Sequence, residues 1–593
     1  MDNGDITVMK SGENMAYQST LSIKLLKQTV LLLLVAFNGL LVSANHSDDI
    51  RHALLEAADK RLADDAIYQR ALTSGDAKLQ RLALLSIGRV GAPSAIKTIS
   101  PFLYAPQPAV REMAAFAMGI ASNKEAIALL AKRLKQEHNP QVMAEILSAL
   151  GVVGPKQDGL DIIAIILPYL DNTHESVVTA SCDALAYAWT MHRDSISVPN
   201  STQVFKLLSL SQQNSSAADH CLYALTRLRT EVALYEQQQM LKTIASLTTK
   251  NQHLLMTLIV SAQKNTAYLP YIKNQLRAEA SIEEKAEAAK ALAMLGYKSE
   301  LVNSYQEIID AKPAAIKIGF LDGLSANKPE KEWFPWLVIL SKDQSGWVNS
   351  RASSTLFALD PEQYAPVFKT LLSAPSAATQ HTALTILRSF EFKQKQALLA
   401  LARNSEFATV REVITQMDSS AKQDQNDRPE EAEQDSIPAS TPMAASEVLS
   451  KANARLKIKT SKGDVTIQLM PSAAYTSYRF YDLAMKGFYD GIEFHRVIPN
   501  FVAQGGDPTA TGSGGPGYSI REELYPSSHI RGTLGMATSG KDTGGSQFFF
   551  NFKDNLHLDR RYTIFARVID GMNTVDSLEI GDKVISISQI KTQ

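Results

Sequence analysis

Along most of the chain, from about Asp48 to Met417, apolar residues recur at intervals of three and four, the spacing of amphipathic helices. The periodicity stops at Ser419. From there to about Ser450 the chain is polar, carries Pro429, Pro438 and Pro442, and has few large apolar side chains. Such a stretch buries too little surface to offset its chain entropy, which predicts a flexible linker. Beyond it the period changes to two. Arg455 to Met470, RLKIKTSKGDVTIQLM, alternates on both sides of Ser461-Lys462-Gly463, which predicts a hairpin. Helical spacing returns from Ala473 to Lys486 (Tyr478, Tyr481, Leu483, Met485) and ends at Gly487. Short strands separated by glycine-rich loops fill the remainder. Closure of such strands into a barrel would remove their unpaired edges.

One further apolar pattern stands near the start. Thr29 to Val42, TVLLLLVAFNGLLV, is uncharged, follows Lys24 and Lys27, and leads into Val42-Ser43-Ala44. This is the pattern of a secretory signal peptide cleaved after Ala44. The run is short for a membrane span, which needs ~20 apolar residues. The expected division is therefore 1–44 signal peptide (or uncleaved anchor), 45–418 helical array, 419–451 linker and 452–593 compact β domain. The expected location is outside the cytoplasm, in a periplasm. The alternative is membrane-anchored and facing the periplasm, the membrane being a partner only if the segment is uncleaved.

Composition adds two constraints. A formal net charge of −1 over 593 residues argues against a dedicated nucleic-acid binder. The two cysteines, Cys182 and Cys221, stand in no metal-binding spacing. The first reading is two separate buried thiols; a disulfide would need an oxidising compartment.

Within the helical region three segments align: LALLSIGRVGAP from Leu82, MAAFAMGIASNK from Met113 and EILSALGVVGPK from Glu145. Their glycines, Gly88, Gly119 and Gly151, are 31 and 32 residues apart, the length of a helix pair with two turns. Weaker echoes begin at Asp183, Tyr223, Ala288, Ser354 and Thr382. The region resembles HEAT-type repeats. A single pair cannot bury its apolar face, whereas stacked pairs can, so an all-α solenoid is expected, with a surface for a protein partner. The small aligned residues predict close helix approach or helix ends. Carboxylate pairs such as Asp64-Asp65 and Glu283-Glu284 read as solvated helix faces.

The C-terminal domain carries more specific chemistry. Phe494 to Asp507 reads FHRVIPNFVAQGGD, Gly544 to Phe550 reads GGSQFFF, and Leu556 to Arg561 reads LHLDRR, followed by YTIFARVIDGM. In this order and spacing the three segments resemble the cyclophilin-type peptidyl-prolyl cis-trans isomerases, over about Ala454 to Ile590. The resemblance implies a closed antiparallel barrel with two helices, and rotation about Xaa-Pro bonds in client polypeptides. No cofactor and no metal are implied.

The rotation barrier, ~18–20 kcal/mol, comes from amide resonance. An enzyme lowers it by binding the twisted amide better than either planar isomer. Twisting localises the nitrogen lone pair, which a permanently charged arginine can stabilise. The resemblance gives that role to Arg496, with Gln504 holding the substrate carbonyl or orienting the arginine. It places Phe501, Val502, Phe549 and Leu558 around the proline ring. Ala537, Thr538 and Gln547 would run beside the extended peptide, and His557 and Tyr562 would complete the substrate site. Taken singly, each aromatic has barrel core as its alternative reading, the lesser one for Phe501 and Phe549.

Several positions depart from the family pattern. Val502 replaces a common methionine, Thr538 an asparagine, His557 a tryptophan and Tyr562 a histidine, so the resemblance does not extend to cyclosporin sensitivity. His495 is expected to pack structurally. Gly512 to Gly517 formally contains GxGxxG but lacks the strand–helix context of a nucleotide site. The expected whole is an exported isomerase whose helical array binds protein partners. The alternative is a non-catalytic scaffold or chaperone that uses the domain to hold proline-containing peptides.

Overall fold

The computed structural model describes residues 47–121, 124–154, 161–192, 201–213, 215–227, 260, 266–277, 280–326, 330–420 and 438–590. The signal-like segment 1–44 and the polar stretch 421–437 lie outside these residues.

Up to Ser420 the described chain consists of helices and short 3-10 turns. Their starts are written locally. Asp76 accepts from the amides of Lys78 and Leu79, and Asn139 from those of Gln141 and Val142, satisfying amides that have no partner in the first turn. Asp65 caps the helix Ala66–Thr73, and Ser281 with Glu284 forms a reciprocal capping box. At least two of the supposed solvated carboxylates are thus helix starts.

The aligned glycines serve close approach. A Cβ on Gly88 would stand 2.8 Å from the Ala117 backbone, one on Gly119 3.1 Å from the Ala149 Cβ, and one on Gly151 2.9 Å from the Ala184 Cα. The helices Ala77–Val90, Pro108–Ile120, Pro140–Val153 and Glu175–Met191 therefore stack in sequence, backbone almost against backbone. The later echoes fall in Glu175–Met191, Ala217–Thr226, Ile282–Met294, Gly346–Leu359 and Ala377–Arg388. A single apolar cluster runs from Ile50 to Tyr364, as stacked repeats require. Cys182 and Cys221 are not separate thiols. They form a disulfide between the helices Glu175–Met191 and Ala217–Thr226, with Cα atoms 4.8 Å apart.

The C-terminal domain contains eight strands: β1 (Arg455–Thr460), β2 (Gly463–Leu469), β3 (Arg496–Ile498), β4 (Val502–Gly505), β5 (Thr533–Met536), β6 (Phe548–Asn551), β7 (Ile564–Asp570) and β8 (Val584–Ile590). The predicted hairpin is β1–β2, with Thr460 opposite Gly463. The predicted helix is Ala474–Met485, followed by Gly487 at φ +69°. A short second helix spans Met572–Asp576.

The sheet corrects one expectation. Its order is β3-β4-β6-β5-β7-β2-β1-β8, antiparallel and curled, and it does not close into a barrel. Strands β3 and β8 form no ladder with one another; the stretches leading into them, 491–494 and 581–584, join the ends through the isolated Glu493–Lys583 bridge and four backbone hydrogen bonds of 2.7–3.1 Å. Leu456, Ile458, Val465, Ile467, Phe480, Phe548, Phe550 and Phe565 fill the interior.

The end of the expected linker is also corrected. Residues 438–451 are ordered: Ala439 bridges to Ser519, and the helix Ala445–Lys451 buries Ala445 and Val448 against Tyr475 and Tyr478. Its apolar positions were too few to register as a pattern, yet each finds a partner on the β domain.

The β domain is seated on the array. Arg89 is 6% exposed and donates to the carbonyls of Leu524, Ser472 and Glu523. Arg560 makes a two-pronged ion pair with Glu145 at 2.7 and 2.9 Å and lies over the Phe116 ring. Arg61 pairs with Asp542. At a second place, Ser376 Oγ and the Ala378 amide donate to Glu493, and Ser345 Oγ donates to Glu579. Leu524 of the β domain belongs to the array's own apolar cluster.

Candidate active site

Strand alternation separates two apolar clusters. On β6, Phe548 and Phe550 point into the interior, so period two turns Phe549 to the opposite face. There it joins Val502 and Leu558, all three buried, with Phe501, Ala537 and Tyr562 packed around them. This small cluster is distinct from the interior, so Phe501 and Phe549 are not barrel core. It forms an apolar slot.

The slot's aromatic walls are fixed by contact geometry. Tyr562 meets the Phe549 ring edge-on, with centroids 5.7 Å apart and planes at 90°. His557 stacks on Phe501 at 5.6 Å, and the Tyr223 hydroxyl of the array lies 3.4 Å from its Nδ1. Burial, with cationic Arg227 nearby, lowers the His557 pKa to about 4, so the ring is a neutral apolar wall near neutral pH.

Arg496 stands at the slot's edge, at the exposed start of β3, directly opposite Gln504 on β4. Its Nη1 donates to Gln504 Oε1 at 3.3 Å, and the guanidinium carbon lies 5.8 Å from the Phe501 ring centre. Gln504 Nε2 donates to Gln547 Oε1 at 3.0 Å. Gln547 Nε2 in turn donates to the carbonyls of Gly512 and Gly514, at 3.0 and 2.8 Å. The loop carrying GxGxxG is therefore the anchor of this chain of amides. No helix follows it. Asp507 folds the loop by accepting from the amides of Thr509, Gly512 and Gly514. These donors hold its carboxyl below the usual range against the opposing effect of burial. Among the described residues no carboxylate pairs with Arg496, so its charge faces the slot uncompensated. Burial lowers its pKa from 12.5, and guanidinium remains charged in proteins.

Beside the slot, the Ala537 amide donates to the Gln547 carbonyl, and Thr538 borders the space between the domain and the array. The structure thus brings Arg496, Phe501, Val502, Gln504, Ala537, Thr538, Gln547, Phe549, His557, Leu558 and Tyr562 to one face. His495 is buried with neither ring nitrogen hydrogen-bonded, and it packs.

Two supports were missed in the sequence. Gly535 on β5 lies under Phe549, where a Cβ would stand 2.2 Å from the ring's Cζ. His529, fully buried, stacks on Phe549 from behind at 5.7 Å, with Nδ1 3.2 Å from Asn551 and Nε2 3.2 Å from the Tyr562 carbonyl. Asn555 extends this network to the Phe501 carbonyl at 3.0 Å. The only prior signal for Gly535 was a glycine inside a strand-like run, which marks close approach by something.

Residues 455–591 match the family described as cyclophilin type peptidyl-prolyl cis-trans isomerase/CLD, and residues 65–151 match HEAT repeats. The Helicobacter pylori (strain ATCC 700392 / 26695) peptidyl-prolyl cis-trans isomerase is 45% identical over 135 residues, 22% of this chain and 83% of that protein. The Bacillus subtilis (strain 168) peptidyl-prolyl cis-trans isomerase B is 48% identical over 121 residues, 20% of this chain and 85% of that protein. A Synechococcus elongatus isomerase is 44% identical over 133 residues, 22% of this chain and 92% of that protein.

Proposed function

Through residues 455–591 the chain belongs to the cyclophilin-type peptidyl-prolyl cis-trans isomerase family, and we propose that Arg496 is the group that stabilises the twisted prolyl amide in exported client proteins. One observation carries the assignment. A guanidinium with no carboxylate partner among the described residues stands at the rim of an apolar cluster whose aromatic members suit a proline ring. With the ring in the slot, the pyrrolidine nitrogen faces the guanidinium. As the amide twists, resonance is lost and the nitrogen becomes a hydrogen-bond acceptor, so the interaction strengthens in the transition state alone. Gln504 and Gln547 hold the arginine in advance, so little reorganisation accompanies the step. Neither a nucleophile nor a proton transfer is required.

The HEAT-like array has two roles in this reading. It seats the isomerase domain, and its remaining surface offers binding sites to protein clients. Export is supported by the signal-like segment ending at Ala44 and by the Cys182–Cys221 disulfide, a bond that persists in oxidising compartments. Cell fractionation of the full chain checks it: recovery in the cytoplasm with both thiols free refutes the export reading.

The catalytic test is a prolyl-isomerisation assay with the full chain. Arg496→Ala should lower kcat/KM by roughly 100-fold or more with unchanged stability, the scale for removing one preorganised donor. Arg496→Lys should recover only part of it, because a point charge lacks the planar fork. Wild-type turnover by Arg496→Ala would remove the arginine from the mechanism.

A further inference from the structure

The side chains of the proposed peptide site all come from the isomerase domain, yet the site's edge opens onto the array, whose Tyr223 already touches His557. Between the two lies a cavity of about 460 Å3, within the range of ligand pockets. Arg89 and Ile120 come from the array; the rest of the lining comes from the isomerase domain. Tyr562 lines this cavity and also packs in the slot cluster, and Thr538, next in the chain to Ala537 of that cluster, lines it too, so the slot and the cavity share a wall.

The charge of the cavity is one-sided. Arg89, Lys541, Arg560 and Arg561 face it, against the single carboxylate Glu522. Among the described residues Arg560 alone of these four makes an ion pair, with Glu145; the Glu523 carboxylate acts on Arg89, and that of Asp542, itself paired with Arg61, on Lys541, without direct contact. Arg89 is hydrogen-bonded to three backbone carbonyls, Lys541 Nζ to the Val90 carbonyl at 2.9 Å, and Arg561 Nη1 to Met191 Sδ at 3.2 Å. None of these partners carries a charge. Neutral partners orient a cation without cancelling it, so the lining presents more cationic than anionic groups to a partly desolvated space, where a carboxylate is attracted more strongly than in water. Glu522 opposes them weakly: burial, with Asp542 beside it, pushes its carboxyl up to about 7.

We propose that this cavity is a subsite of the isomerase that takes a carboxylate of the client polypeptide, on a residue flanking the proline, and that the helical array confers it by closing one wall. The proposal rests on the isomerase reading, because it needs the peptide to lie along Ala537 and Thr538. The chemistry fits an Asp or Glu side chain, or the free carboxylate of a chain end close to the proline.

The experiment uses the full chain and short Xaa-Pro peptides with Glu or isosteric Gln at each flanking position, and with free or amidated C termini. Turnover is read as kcat/KM and binding as Kd by fluorescence anisotropy. At low salt the Glu peptide should be favoured roughly five-fold or more at one flanking position, and the preference should shrink as salt rises. Preference for the free over the amidated terminus, with none for internal Glu, would assign the subsite to chain ends. Lys541 is exposed, and its substitution should leave turnover of the Gln peptide unchanged. Lys541→Gln should bring the preference to within roughly two-fold, and Lys541→Glu should remove or reverse it. Equal Kd and kcat/KM for all peptides, with normal turnover of the neutral one, overturns the subsite and leaves the isomerase reading standing. A Glu preference in Kd with no turnover of any peptide does the reverse.

Discussion

Gly535→Ala is a one-carbon change that separates the slot from the fold around it. The added Cβ would stand 2.2, 2.7 and 2.8 Å from three atoms of the Phe549 ring, whereas ordinary contact begins at 3.4 Å. The ring must therefore move by about 1.2 Å. It has little freedom to do so. His529 stacks behind it and Tyr562 meets it edge-on, both with centroids 5.7 Å away. The remaining direction leads into the slot. Overpacking of this kind costs about 1–3 kcal/mol, which a domain stable by ~5–15 kcal/mol survives. Catalysis is less tolerant, since an ångström of misplacement can cost about 100-fold in rate. We expect kcat/KM for prolyl isomerisation to fall by roughly 10- to 100-fold, with urea unfolding shifted by only about 1–3 kcal/mol. Phe549→Leu alone should also be slow, but combined with Gly535→Ala it should recover part of the lost stability and none of the activity, because the clash is with the ring. A Gly535→Ala protein with wild-type kcat/KM would show that Phe549 does not bound the proline site.

Three further outcomes follow from the same structure. Glu145→Gln leaves Arg560 partly buried without a counter-charge, a change of the class that costs ~3–5 kcal/mol; limited proteolysis should then release the β domain from the array far faster than in wild type, and unchanged protection would contradict the seating. Reducing Cys182–Cys221, which are 39 residues apart, should destabilise the array by about 4 kcal/mol by loop-closure entropy, read as a lower urea midpoint with dithiothreitol. His529 has its pKa lowered to about 4 by burial. Between pH 6.5 and 4 the unfolded chain therefore binds the proton and the folded chain does not, so this histidine's contribution is complete above pH 6.5 and is lost as pH falls, by up to about 3 kcal/mol. Asp559, raised to about 7, acts in the opposite direction. The comparison is accordingly the pH slope of unfolding free energy for wild type against His529→Asn, and parallel slopes would refute the assignment.

Much of this was determined by the sequence itself. Period-three/four and period-two patterns divide the chain into array and β domain because they reflect which side chains each element must bury against a neighbour. The aligned glycines at 88, 119 and 151 announce the stacking, since only a missing Cβ permits backbones that close. The arginine and slot residues were legible because their motifs are local and ordered. What only the tertiary structure decided depends on contacts between residues far apart in the chain. Period two put Phe549 on one face, but which face bounds the slot, and that Gly535 lies beneath it, required β5 beside β6. The cysteine pairing needed two helices brought side by side. The two ends of the sheet meet only through the stretches 491–494 and 581–584 and not through a ladder between β3 and β8, a matter of geometry that alternation does not encode. The seating of the isomerase on the array rests on single residues hundreds of positions apart, among them Arg89, Glu145 and Arg560, each of which reads in sequence as an ordinary charge on a helix or loop. A charge becomes a structural or recognition element only when folding removes it from water and selects its partner.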